Sequence, residues 1–371
     1  MEIALNGRIL QTVKPAGPEY FAYNLYKSLF ENFKDIGFTI YCSRIESNTI
    51  LKKLTDEFPK VKIEVVANKI SWTHVGLVKA LLKDKPDAYF TPEHTIPFIR
   101  AKHTKFITMI HGLEFKSNKQ QNGFDVKYFI HPLLLKFVGM NSDLIITPSE
   151  YTKQQLITNN IAPSNKIQII REGTSDLFRQ KPSLEIIEKA KSKYNLHKKY
   201  LVFVSTLQPR KNIENLVKAF VQSNIQDYIL VLIGKKGWKY ESIFETINNL
   251  KAENLVKHLD WVPEEDLLAL MSGASGFVNF SFEEGFSLTL LEAMSLQIPA
   301  AVSDIPAHKE LGKDAVIYAD PNNMESIKNA IIKLTTSDNS LYINKAFEYS
   351  KDYNWESTAK QLFDAIKSIQ S

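Results

Sequence analysis

The sequence predicts an α/β protein made of two doubly wound, Rossmann-like domains with parallel sheets. Three observations carry this. Short β-branched and aromatic runs alternate with amphipathic helical stretches through both halves, the pattern of βα units. At 371 residues the chain exceeds one domain's usual share. Residues with binding chemistry, such as His111 and Gly112, follow the ends of strand-like runs. Doubly wound folds bind ligands at those ends, and two such domains facing each other leave a cleft there.

In the first half the runs Glu2–Leu5, Phe38–Cys42, Lys62–Val66, Ala88–Thr91, Lys105–Ile110, Leu144–Thr147 and Ile167–Ile170 read as strands. After the first of them, Gly17 marks a strand–loop–helix turn. Pro18 suits the first turn of the following helix, where Phe21, Leu25 and Leu29 recur every four residues. His111 and Gly112 follow a buried-looking strand; the histidine either projects into the cleft or is a hydrogen-bonded core residue. The polar stretch Lys116–Gly123 reads as a mobile loop. FDVKYFIHPLLLKFV reads as a core helix broken near Pro132, with an interfacial membrane segment as the alternative. Ser149 is placed to cap the helix after Thr147.

Phe178–Ser183 is the best linker, which gives domains 1–178 and 179–353. The Asn-capped helix 354–371 is expected to pack back onto the first. The second half has strand-like runs at Leu201–Ser205, Ile229–Ile233, His258–Trp261, Gly276–Phe280, Pro299–Val302 and Val316–Tyr318. In STLQPRKNIENL, Pro209 keeps the chain extended and Asn212 caps a helix, with Arg210 and Lys211 just before it. That is the wrong helix end for cations, and an anion bound between them resolves the conflict. Gly234 stands at a strand end. Trp238 and Trp261 can serve as packing residues, and Glu264, Glu265 and Asp266 suit the start of the next helix.

SFEEGFSLTLLEAM places Glu284 and Glu292 eight positions apart around Gly285. The glycine permits a tight turn, Ser287 can cap the helix through Leu288 and Leu290, and Glu292 sits inside the apolar run. A buried carboxylate is costly without partners, and the two hydroxyls of a ribose would satisfy its oxygens. Taken alone, Glu292 reads as an acid paired with an internal Lys or Arg, and Glu284 as a solvated one. Together with the glycine turn they fit one ligand: a sugar, a diphosphate and a ribose.

Composition excludes other classes. Cys42 is the single cysteine, so no internal disulfide is possible, which suits a reducing compartment. The N-terminal segment, interrupted by Glu2, Asn6 and Arg8, is not a signal peptide, and no apolar run is long enough to span a bilayer. The expectation is a cytoplasmic protein. Net charge is +5, with +6 in residues 1–178 and −1 in the remainder. The basic first half would draw lipid-linked phosphates or an anionic membrane face, peripherally at its inner side. Nucleic acid is not an expected partner. No D-x-D and no His/Cys cluster with metal-ligand spacing occurs, so no metal is expected to bridge a diphosphate.

The segment EEGFSLTLLEAMSLQIPAAVSD resembles the E-x7-E signature of the retaining family 4 glycosyltransferases, which have the GT-B fold. It departs from that signature at Ser287, where glycine is usual, and at Thr289, where proline is usual. The resemblance implies a hexosyltransferase, mannosyltransferase-like, that acts in bacterial surface polysaccharide synthesis. It would use a GDP- or UDP-linked sugar as co-substrate, no other cofactor and no metal, with a saccharide or lipid-linked acceptor on the N-terminal side. Arg210 and Lys211 would hold the donor diphosphate, His111 and Glu284 the sugar, and Glu292 the ribose. Gly17, Gly234, Trp261, Val262, Gly285, Phe286, Ser287 and Leu288 would complete the donor site. An epimerase on the same scaffold, or a non-catalytic nucleotide-sugar-binding protein, are the alternative readings.

Overall fold

The computed structural model describes residues 1–67, 70–113 and 127–370, with the backbone alone for 127–131. The stretch Lys116–Gly123 lies outside the described residues. The chain divides into two compact units, Met1–Gly173 with Asn354–Ser371, and Thr174–Tyr353.

The first unit holds β1 (Glu2–Asn6), β2 (Gly37–Cys42), β3 (Lys62–Val65), β4 (Ala88–Thr91), β5 (Lys105–Met109), β6 (Leu144–Thr147) and β7 (Ile167–Ile169). Their order is β3-β2-β1-β4-β5-β6-β7, paired in parallel throughout. Every residue of β4 and β6 is buried, as expected of strands covered by helices on both faces. The helix Gly17–Asn32 carries Pro18 in its first turn and buries Phe21, Leu25 and Leu29. Ser149 caps the helix Glu150–Thr158, its hydroxyl accepting from the Thr152 N–H at 3.1 Å.

The helix Lys127–Asn141 runs through Pro132 where a break was expected. The proline sits near the helix start, so its missing N–H costs only an early backbone bond. Leu135 and Val138 join the first core, while Leu133, Leu134 and Met140 are exposed. The core reading therefore describes one face of this helix. Among the described residues, no helix is long and apolar enough to cross a membrane.

The last helix, Trp355–Ser368, is capped by Asn354, whose side chain accepts from the Ser357 N–H at 2.8 Å. It belongs to the first unit. Its Phe363 ring lies 4.1 Å from that of Phe33, and Thr358 donates to the Arg171 carbonyl at 2.8 Å.

The second unit holds β8 (Lys199–Val204), β9 (Tyr228–Ile233), β10 (Val256–Leu259), β11 (Gly276–Asn279), β12 (Ala300–Ser303) and β13 (Ile317–Ala319). Their order is β10-β9-β8-β11-β12-β13, again parallel. Side chains alternate between two cores. Tyr200, Val202, Val204, Val231 and Ile233 enter one, and Leu201, Phe203, Leu230 and Leu232 the other. β10 starts and ends two residues before the run read as a strand, because Val256 pairs with Leu230, and the Asp260 side chain accepts from the Trp261 N–H in the loop beyond.

The second unit begins at Thr174, not at 179. The reason is packing: Phe178 is buried in the second-unit core, and Arg179 donates to the Tyr353 carbonyl at 2.6 Å. Gly173 is required where the two connecting passes meet, since a Cβ there would lie 2.5 Å from the Trp355 nitrogen.

Candidate functional site

β8 and β11 are neighbours, and the strand order reverses between them. The loops from their carboxyl ends carry the cationic pair and the first glutamate. Beyond β8, Pro209 opens a 3-10 turn, Pro209–Lys211, instead of continuing an extended chain. Asn212 follows in a left-handed conformation and precedes the helix Ile213–Ser223. Its side chain does not cap that helix. It donates instead to the carbonyls of Phe280, at 2.9 Å, and Pro321, at 2.8 Å. One buried amide thus ties the loops after β8, β11 and β13 together.

This places Arg210 and Lys211 against Glu284. Arg210 Nη1 donates to Glu284 Oε2 at 2.8 Å and to the Glu283 carbonyl at 2.6 Å. Lys211 Nζ donates to Glu284 Oε1 at 2.7 Å and Oε2 at 3.0 Å. The three residues are 7%, 9% and 6% exposed, in that order. The expected anion between the cations is therefore, in this structure, the protein's own carboxylate. Burial pushes the Glu284 carboxyl up, but Lys211 and then Arg210 outweigh it and hold it well below the usual carboxylate range. Asn279, at the end of β11, approaches Glu284 Oε1 at 3.4 Å.

Ser287 stands at the N-cap position of the helix Leu288–Ser295, but its side chain makes no capping bond. Its hydroxyl is buried without a hydrogen-bond partner among the described residues. On that helix Leu290, Leu291, Ala293 and Met294 are buried, whereas Leu288, Thr289 and Glu292 share a partly exposed face. Gly285 lies at a bend, and Phe286 packs partly against the second core, its ring 6.0 Å from that of Tyr353.

Gly234 takes φ +143, and a Cβ there would lie 2.0 Å from the Ser205 carbonyl oxygen, so the β8–β9 contact requires glycine. Trp261 is partly exposed. The Val262 side chain is buried in the core, which leaves only its backbone for a ligand. The Trp238 indole donates to Gln208, next to the cationic turn, at 3.1 Å.

In the first unit, His111 Nδ1 lies 3.0 Å from Glu172 Oε1 and Nε2 lies 3.1 Å from the Pro92 carbonyl. The ring stands edge-on to Phe21 at 4.8 Å. His111 is thus hydrogen-bonded and partly exposed, with features of both readings. A Cβ on Gly17 would meet nothing within 4 Å, so the fold itself does not demand glycine there. Among the described residues, no group of three or more His, Cys, Asp or Glu could hold a metal ion.

Sequence reasoning missed Glu172, Asn279 and His308. His308 is fully buried. Its Nδ1 lies 3.0 Å from Ser303 Oγ and 3.1 Å from the Ser303 carbonyl, and its Nε2 has no partner among the described residues. Burial pushes its pKa down to about 4; nearby Glu284 opposes the shift and Lys211 adds to it. A histidine lowered in the folded state stabilises the fold only while neutral. The unfolded chain takes up the proton first as pH falls below about 6.5. Acidification from pH 7 to 5 is therefore expected to cost about 2 kcal/mol through this residue. Urea denaturation of His308→Gln should show a shallower loss across that window; an unchanged slope would clear His308 of the effect.

Two units, each a doubly wound parallel sheet, make up the GT-B fold. Alr3699/HepE of Anabaena, solved with UDP and glucose, matches at TM-score 0.78 and 17% identity, covering 99% of this chain and 100% of that one. WaaG, a glycosyltransferase involved in lipopolysaccharide biosynthesis, matches at TM-score 0.75 and 13% identity, over 98% and 99%.

Residues 185–351, within the second unit, match the family of glycosyl transferases group 1. O-antigen chain mannosyltransferase B of Escherichia coli is 28% identical over 237 residues, 62% of this chain and 61% of that protein. O-antigen chain mannosyltransferase RfbU of Salmonella typhimurium is 26% identical over 241 residues, 65% and 63%. The alignments thus span less than two thirds of these relatives' own length.

Proposed function

We propose that the protein is a retaining glycosyltransferase that moves a hexose from a nucleotide sugar to a saccharide or lipid-linked acceptor in bacterial surface polysaccharide synthesis. One observation carries this reading: Arg210 and Lys211 meet Glu284 where the loops leave β8 and β11, the strands between which the sheet order reverses. The named mannosyltransferase relatives and the neighbour solved with UDP and glucose support it.

The donor diphosphate enters beside the cationic pair. Arg210 grips phosphate oxygens through its planar fork and Lys211 adds a point charge. Glu284 holds both cations in place and meets the sugar hydroxyls. Glu292, on the open face of its helix, takes the ribose, and Trp261 with the Val262 backbone faces the base. The bond from the anomeric carbon to phosphate oxygen breaks, and its electron pair stays on the phosphate. Arg210 and Lys211 stabilise that charge while the sugar becomes oxocarbenium-like. The acceptor oxygen bonds to the anomeric carbon on the face being vacated, and its proton passes to the leaving phosphate, so configuration is retained.

A thermal-shift panel of GDP-mannose, UDP-glucose and UDP-galactose tests the reading. A donor at a hundredfold its Kd adds about 2.7 kcal/mol, expected to raise Tm by roughly 5–10 °C. If no nucleotide sugar in the panel shifts the transition, the reading falls.

A further inference from the structure

The first sheet has a switch point of its own, between β1 and β4, and it holds a polar network. Asn6 ends β1 and Thr91 ends β4, and both are buried. Asn6 Nδ2 donates to Thr91 Oγ1 at 3.0 Å and to Glu93 Oε2 at 3.1 Å. Its Oδ1 accepts from the Arg8 N–H at 3.0 Å, and its carbonyl from the Tyr26 hydroxyl at 2.9 Å. The Glu93 N–H turns back to Thr91 Oγ1 at 3.3 Å. Asn6, itself held by Thr91 and the Arg8 N–H, thus fixes one carboxylate oxygen of Glu93. The other, Glu93 Oε1, has no hydrogen-bond partner among the described residues, and Glu93 is only partly buried.

We infer that Glu93, held by Asn6, binds a hydroxyl of the acceptor saccharide. This rests on the glycosyltransferase reading. The surrounding charge selects the ligand. Burial holds the Glu93 carboxyl above its ordinary value; the Asn6 hydrogen bond, Arg8 and His111 oppose the shift and Glu19 adds to it, so Arg8, Glu19 and His111 all lie near enough to be felt. A cation would be repelled by Arg8 and, when charged, His111; an anion would be repelled by Glu93 and Glu19. A neutral group that donates to the carboxylate and accepts from a guanidinium meets neither objection, and a sugar hydroxyl does both. The fixed oxygen supplies preorganisation, so the open one binds without first ordering the side chain.

The test uses the full chain in excess UDP and, separately, excess GDP. Methyl α-mannoside, α-glucoside and β-galactoside and methyl β-N-acetylglucosaminide are titrated, with binding read by saturation-transfer NMR. At least one glycoside is expected to bind the native protein. Glu93→Gln should weaken it roughly tenfold or more, as for loss of a hydrogen bond to a charged group, with nucleotide affinity unchanged. Equal glycoside affinity in both proteins, or no glycoside bound by a native protein that binds nucleotide, overturns the inference. Failure of the glycosyltransferase reading looks different: no nucleotide sugar binds at all. Should Glu93→Gln also lose nucleotide, Glu93→Asp decides: it keeps the charge but withdraws it by one methylene, and unchanged glycoside affinity there counts against the assignment.

Discussion

Changing Arg210 and Lys211 together to alanine is expected to lower kcat for sugar transfer on the order of 10³-fold. Both cations stand where charge develops on the departing diphosphate, and a single such donor accounts for about 10²–10³ in rate when removed. Their burial strengthens the effect, because little water reaches the site to take over. The double change also strips Glu284 of the two cations that hold its carboxyl low, so folding must be checked by circular dichroism at the assay temperature. Arg210→Lys keeps the charge and loses the fork, and a loss of about tenfold is expected from one weakened bond. Near-native turnover by the folded double variant would remove these residues from the chemistry.

Glu284→Ala should destabilise the protein by about 3–5 kcal/mol, the range found when one partner of a buried ion pair is deleted. The carboxylate is shared by Arg210 and Lys211, so one truncation disturbs both. Urea denaturation of the full chain measures it. Inorganic pyrophosphate should recover part of the loss, because it returns negative charge to the same place. A cost below about 1 kcal/mol would mean that the site is wet enough for water to replace the carboxylate.

The sheets were legible because strands covered on both faces must be largely apolar and buried, as β4 and β6 are throughout and β8 and β9 are beyond their first residue. The cationic turn and the glutamate pair were legible one at a time. Their pairing was not, since Arg210 and Glu284 are 74 positions apart and meet only because β8 lies beside β11. A periodicity argument finds strands and does not order them. Asn212 shows the same gap. Its position before a helix suggests a cap, but its side chain bonds to loops that begin far along the chain. Ser287 likewise holds the capping position without the capping bond. Val262 was placed beside the base by the resemblance of its loop, whereas its side chain is buried in the core. His308, Asn6 and Glu93 carry no local pattern, and burial and long-range contacts alone single them out.

The first unit is closed by a helix that the second unit precedes in the chain. Phe33 and Phe21 stay uncovered by Phe363 and Trp355 until residues 355–368 have been made. On the ribosome the second unit can therefore finish folding while the first waits, open on one flank. A chaperone that shields aromatic surface would be needed there most, during the synthesis of residues 174–353.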